Sequence, residues 1–265
     1  MFSSITGFIK DLQANPGGTI LTLLYTAVAI LFSLILHECA HGYVALKCGD
    51  PTAKWMGRLT LDPRKHLDPL GTICMIFLHI GWAKPVPINP NNFRNYRRDY
   101  ILVSIAGIVM NLAMCILSLI ISAILSKFLW QKDLISSLAQ TGQKKLMLNV
   151  YDSSLATAVY AGYFSWFESY AAAPWLMYVQ RLFLMLAQMN LGLAIFNLLP
   201  VPPLDGYRVM DQFVFKGRLG LTPQTTQFIQ IGFLIICFSG ILNNLLTTVN
   251  SAVMGVLCSA AAILI

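Results

Sequence analysis

Leu31-Phe32-Ser33-Leu34-Ile35-Leu36-His37-Glu38-Cys39-Ala40-His41-Gly42-Tyr43-Val44-Ala45-Leu46 is an apolar run with a polar pentapeptide at its centre. Within it, His37-Glu38-Cys39-Ala40-His41 follows the pattern His-Glu-x-x-His. On a helix, positions i and i+4 share a face, so both imidazoles can reach one metal ion. Glu38 is rotated off that pair but stays close enough to act on a coordinated water. Two imidazoles and one oxygen ligand suit zinc and leave a fourth position open. Zinc lowers the pKa of its water to about 7, which supplies a nucleophile at neutral pH. The alternative is a helix whose polar residues are satisfied by packing or water. It sits poorly with the inventory: of four histidines and two glutamates, three fall within these five residues. Ionisable groups in so apolar a segment need a pairing or functional reason.

The surrounding composition sets the class. At 57% hydrophobic and 11% charged over 265 residues, the chain is an integral membrane protein rather than a soluble domain. Its formal charge of +7 comes mainly from basic residues in short loops between apolar runs. That pattern orients a membrane protein, and with no basic stripe interleaved with aromatics it excludes nucleic acid as a partner. The cysteines Cys39, Cys48, Cys74, Cys115, Cys237 and Cys258 are widely spaced with no Cys-x-x-Cys. They read as buried thiols, not as a disulfide framework or metal ligands.

The reading along the chain is one membrane domain over residues 1–265. An interfacial amphipathic segment occupies 1–16 and the metal-motif helix 17–48. A hairpin, a short re-entrant helix and an edge strand fill 49–97. A second helix covers 98–130, an amphipathic extracytoplasmic segment 131–173, and a third helix with a Leu-Asp-Gly loop 174–206. A polar loop over 207–224 precedes a C-terminal helix or helices at 225–265, broken near Gly240 or Asn243-Asn244. The predicted fold is therefore an all-α polytopic membrane protein. Three spanning helices carry the metal site, joined by a C-terminal span and a small membrane-associated β-hairpin and re-entrant segment.

Several residues stand out against this background. In Asn197-Leu198-Leu199-Pro200-Val201-Pro202-Pro203-Leu204-Asp205-Gly206, three prolines break a helix at membrane depth. Irregular backbone there must line a cavity or be buried in protein. Asp205 is accordingly a carboxylate delivered to a polar site and the candidate third ligand beside His37 and His41. Asn111 is a lone amide in an apolar helix, where an interhelical hydrogen bond and a functional role are both open. His66 is expected to be a loop histidine bonded to backbone. In Trp82-Ala83-Lys84-Pro85-Val86-Pro87-Ile88-Asn89 the prolines forbid a helix and require extended, edge-type backbone. Pro85 and Pro87 remove donors from one edge, leaving Val86 and Ile88 to offer theirs on the other.

Topology follows from parity. The histidines near the end of the first helix and Asp205 just past the third share a metal only if an even number of crossings separates them. Residues 70–82 must then not span, and at thirteen residues they are short for it. Loops 47–98 and 206–224 carry twelve Lys and Arg, against five in the other loops. By the positive-inside rule the metal-side loops are cytoplasmic.

These residues resemble the site-2 protease family of intramembrane zinc metalloproteases. The resemblance is carried by His37-Glu38-x-x-His41, Gly57-Arg58-Leu59-Thr60-Leu61-Asp62-Pro63, Gly81-Trp82-Ala83-Lys84-Pro85-Val86-Pro87 and Asn197-x-x-Pro200-x-Pro202-x-Leu204-Asp205-Gly206, in the family's order. It implies Zn2+ held by His37, His41 and Asp205, and Glu38 as general acid/base. It further implies hydrolysis of a peptide bond within or next to a substrate's transmembrane segment. The substrate would be received as an added strand on the segment containing Trp82, Lys84, Val86 and Ile88. Where the family has Gly-Pro-x-x-Asn, this chain has Gly107-Ile108-Val109-Met110-Asn111. Asn111 is retained, and with it the implied task of holding the scissile carbonyl or the oxyanion. The expected protein is a minimal member without PDZ or CBS domain, multi-pass in a bacterial plasma membrane, with its active site toward the cytoplasm. Its partners are the bilayer and a transmembrane protein substrate; a homo-oligomer is left open. The rival readings are a metal-binding transporter, which would need an internal repeat, and an inactive scaffold, which would not need Glu38.

Overall fold

The computed structural model describes residues 10, 12–68, 71, 84–148, 169–219 and 221–265. Most of the interfacial segment, the re-entrant stretch 70–82 except Gly71, Trp82 and the aromatic run from Tyr160 lie outside the described residues.

Helix α1 spans Pro16–Cys48. Proline stands at its first position and the Asn15 side chain accepts from Gly18 N–H at 3.0 Å, so the free donors of its first turn are met. Its end is fixed by Gly49 at φ 110°, after which Asp50 N–H donates to the Ala45 carbonyl. A side chain at Gly49 would also meet the Asn92 carbonyl at 2.9 Å. Two short turns follow, α2 (Thr52–Trp55) and α3 (Pro63–His66).

Where a hairpin was expected, the described residues of 52–68 form helical turns and no strand, with a single β-bridge position at Leu67. The local signal is Asp62-Pro63, an N-cap carboxylate accepting from Arg64 N–H with proline at the first helical position. Residues 84–89 carry no ladder either, and one backbone bond together with the side chains of Glu38, Asp50 and Arg58 holds them. Lys84 N–H donates to the His66 carbonyl, and Arg94 N–H to the Cys48 carbonyl. The chain thus leaves at His66 and is met again at Lys84.

Helix α4 (Tyr96–Leu129) begins with a reciprocal cap: Asn95 Oδ1 accepts from Arg98 N–H and Asp99 Oδ2 from Asn95 N–H. Helix α5 covers Lys132–Gln140 and α6 Leu176–Asn197. Asp205 opens helix α7 (Asp205–Phe213), so a helix stands where the sequence suggested the start of a polar loop. Helices α8 (Pro223–Ser239) and α9 (Ile241–Ala261) are separated by Gly240 at φ 81°. Among the described residues, four helices are long and apolar enough to cross a membrane: Pro16–Cys48, Tyr96–Leu129, Leu176–Asn197 and Asn244–Leu264. The protein is helical and built for a bilayer.

The chain forms two compact units, one of residues 30–113 with 190–250, the other of 2–29, 114–189 and 251–265. In the first, Ala45, Cys48 and Val103 make a small core with Ile88 and Phe93, and Asn190 Nδ2 donates to Ser33 Oγ at 2.9 Å. In the second, Leu129, Trp130, Met147 and Met177 form the core. There Gln180 Nε2 donates to Ser126 Oγ at 2.7 Å, and Arg181 to Thr22 Oγ1 at 2.9 Å.

Candidate metal centre

All the residues that follow belong to the first unit. His37 and His41, one helical turn apart on α1, present Nε2 atoms 3.0 Å from each other. Asp205 Oδ2 lies 3.3 Å from the first and 3.1 Å from the second. These three side chains form a cluster able to hold a metal ion, and all three are buried. The edges of this triangle match the roughly 3.3 Å between ligands of a tetrahedral site with bonds of about 2.0–2.1 Å. The donor set, two imidazoles and one carboxylate oxygen with an open fourth side, suits zinc.

The hydrogen bonds behind the cluster fix which nitrogen faces inward. His41 Nδ1–H donates to the Val103 carbonyl at 2.7 Å, which leaves the Nε2 lone pair for the cluster. His37 Nδ1 is 3.1 Å from the Asn111 amide, while Asn111 Oδ1 is buried without a partner. Turning the amide so that Oδ1 accepts from Nδ1–H satisfies both groups and gives His37 the same tautomer as His41. Three acceptors then converge, an arrangement that repels itself unless a cation or a proton lies among them. The Arg208 guanidinium is 3.9 Å from the other carboxylate oxygen of Asp205.

Two glycines that the sequence reading did not single out shape this site. A Cβ at Gly107 would stand 2.4 Å from His37 Cε1 and 2.5 Å from His41 Nε2. Only glycine lets α4 approach the imidazoles so closely. A Cβ at Gly206 would meet the Leu198 carbonyl oxygen at 2.3 Å, so Asp205 reaches the cluster on a turn that excludes side chains. Both lie within the family motifs of the sequence reading, which gave neither a role.

Glu38 Oε2 accepts from Val86 N–H at 2.7 Å. The donor expected to be free for a substrate is therefore engaged by the glutamate. Both backbone groups of Lys84 are also engaged, N–H by His66 and C=O by Arg58, which leaves Lys84 its exposed side chain. Asn89 N–H donates to Asp50 Oδ2 at 2.7 Å. His66 is fully buried with Nε2 2.8 Å from the Thr60 carbonyl, a histidine bonded to backbone. A cleft of about 260 Å³ is lined by Val86, Ile88, Tyr100, Val103, Ser104 and Arg208 among others; of these Val86 bonds Glu38 and the Val103 carbonyl bonds His41.

Residues 25–239 match the family model for peptidase family M50. The chain is 36% identical over 212 residues to a Bacillus subtilis (strain 168) protein named "Putative zinc metalloprotease YwhC". That alignment covers 80% of this chain and 79% of the relative. It is 26% identical over 239 residues to "Putative zinc metalloprotease Rip2" of Mycobacterium tuberculosis (strain H37Rv), covering 86% and 74%. No solved structure matches at a significant level.

Proposed function

Because the chain belongs to peptidase family M50, the site-2 protease family of intramembrane zinc metalloproteases, we propose that it hydrolyses peptide bonds within or next to transmembrane segments of membrane-protein substrates. The observation that carries this reading is the buried triangle of His37, His41 and Asp205, with Glu38 one residue along the same helix. In our assignment His37, His41 and Asp205 hold zinc, which when bound supplies Lewis acidity and an activated water. Glu38 takes the water's proton and returns it to the leaving amine. Asn111 Oδ1 orients His37, and its two remaining N–H groups are the donors for the oxyanion.

The substrate must unwind before it can be attacked, and unpaired backbone in hydrocarbon costs several kcal/mol per group. The extended stretch ending at Asn89 offers replacement partners along Val86 and Ile88, facing the cleft. A strand that pairs with Val86 N–H takes that donor from Glu38. In this reading α4 and α6, the two crossings between the end of α1 and Asp205, give the even number the shared ligands need, and a C-terminal span follows. The charge balance of the loops supports a multi-pass protein of a bacterial plasma membrane with the site toward the cytoplasm.

Glu38→Gln tests the reading against the transporter and scaffold alternatives. Reconstituted with a single-span model substrate, this variant is expected to keep zinc and lose cleavage by ~10²–10⁴-fold. Undiminished cleavage in the variant would remove Glu38 from the chemistry.

A further inference from the structure

Arg58 is buried, with 8% of its surface exposed. Among the described residues no carboxylate pairs with it directly. Burying a guanidinium without a counter-charge is expensive, so its surroundings should contain a substitute. Its Nη2 donates to two carbonyls of the extended segment, Lys84 at 2.8 Å and Pro85 at 3.2 Å. The Pro85 carbonyl belongs to the same peptide group as Val86 N–H, and that N–H donates to Glu38 Oε2 at 2.7 Å.

A cation therefore bonds one end of a single peptide plane and an anion the other. Hydrogen bonds in such a chain polarise one another: drawing electrons toward the carbonyl oxygen makes the N–H of the same amide a stronger donor. The Pro85 ring fixes its own φ, and Pro87 holds the residue before it, Val86, extended, so this peptide group has little conformational freedom. Resting on the protease reading above, we propose that Arg58 is a positioning residue for the reaction: acting through the Pro85–Val86 peptide, it orients Glu38 and balances its charge. The arrangement gives Gly57-Arg58 and Lys84-Pro85-Val86-Pro87 one shared task.

The test reads that peptide group itself. The chain contains two Pro-Val pairs, Pro85-Val86 and Pro200-Val201. Protein labelled with ¹³C-carbonyl proline and ¹⁵N-valine therefore gives two filtered amide signals, and Val86→Ala identifies the first by its loss. In Arg58→Gln the Val86 amide proton is expected to move upfield, toward its position in Glu38→Gln, while zinc content stays unchanged. In the same variant kcat falls roughly tenfold with little change in KM, the size typical of a group that orients another. Arg58→Lys, which keeps a cation able to reach one carbonyl, should lie between wild type and Arg58→Gln on both readouts. It also serves if the glutamine variant does not fold. A Val86 signal unmoved in a folded variant, or an unchanged kcat, overturns the proposal. The amide is read without substrate, so a protein that showed the shift yet cut nothing would count against the protease reading and leave the coupling standing.

Discussion

Two places in this molecule bury polar side chains inside apolar helices, and they do so in opposite ways. Around Gln180 in the second unit, donors meet acceptors: Nε2 to the Ser122 carbonyl and Ser126 Oγ, Ser126 Oγ to the Ser122 carbonyl, Ser122 Oγ to Ser118. Around His37, His41 and Asp205 in the first unit, acceptors meet acceptors. The first arrangement gives each of these donors an acceptor, with Gln180 Oε1 left unpartnered, and serves packing between helices. The second is complete only when something positive joins it. Burial alone does not mark a functional site; the sign of the groups that converge does.

The largest expected effect breaks the comparison in two. Asp205→Ala should remove bound zinc and reduce cleavage to background, because two imidazoles alone leave the ion under-coordinated. Gln180→Ala should leave zinc and cleavage intact and cost about 0.6 kcal/mol of stability, with ~1.7 as the upper end for such bonds in membranes. Metal analysis of both purified variants checks this. Stoichiometric zinc in Asp205→Ala would sink the third-ligand assignment, and zinc loss in Gln180→Ala would erase the contrast.

A smaller effect sharpens it. Gly107→Ala puts a methyl against both imidazoles, whereas Gly192→Ala on α6 puts one where no atom lies within 4 Å. Gly107→Ala should weaken zinc binding roughly 10–100-fold, as other disturbances of ligand orientation do. Gly192→Ala should change stability by no more than about 0.5 kcal/mol. Competition with a chromogenic chelator measures both. Equal affinity in the two variants would mean that α4 does not define the site.

Much of this centre was legible in the sequence because zinc chemistry demands particular side chains at particular spacings. His37 and His41 declare themselves by the helical turn between them, and Asp205 by a carboxylate on proline-broken backbone. What escaped was everything done by backbone. Gly107 carries no chemical signature, since its role is the absence of a Cβ. Asp50 was given no role and Arg58 fell within the expected hairpin, because Asn89 N–H and the Lys84 carbonyl that they bond are more than 25 residues away. A hairpin was expected within residues 49–97, while at Asp62-Pro63 the cap forms a helical turn. The donor at Val86 was foreseen; its engagement by Glu38 was not, since composition gives no distances.

The smallest effect separates two carboxylates of the same unit. Asp50 is fully buried like Asp205, but it faces donors: Thr52 N–H, the Thr52 hydroxyl, Asn89 N–H at 2.7 Å and Asn92 Nδ2 at 2.8 Å. It ties residues 89–92 to the end of α1 and should have no part in holding zinc. Burial alone would raise its pKa, but the bonds from Thr52, Asn92 and Asn89 outweigh burial and hold it below the usual carboxylate value. The unfolded chain, with Asp near 3.9, therefore binds the proton more readily than the folded one. The stabilisation Asp50 contributes is fully present above about pH 5 and is lost as pH falls through the lowered folded value. Asp62 is shifted the same way, so the pH curve of wild type alone does not isolate Asp50. Its difference from Asp50→Asn does. That variant should keep its zinc and unfold at a lower temperature at neutral pH, with faster amide exchange near Asn89. The gap in unfolding temperature should narrow steadily as the pH drops below about 4. A gap independent of pH would show that Asp50 acts by shape rather than charge, and loss of zinc would show that the two carboxylates are not separate after all.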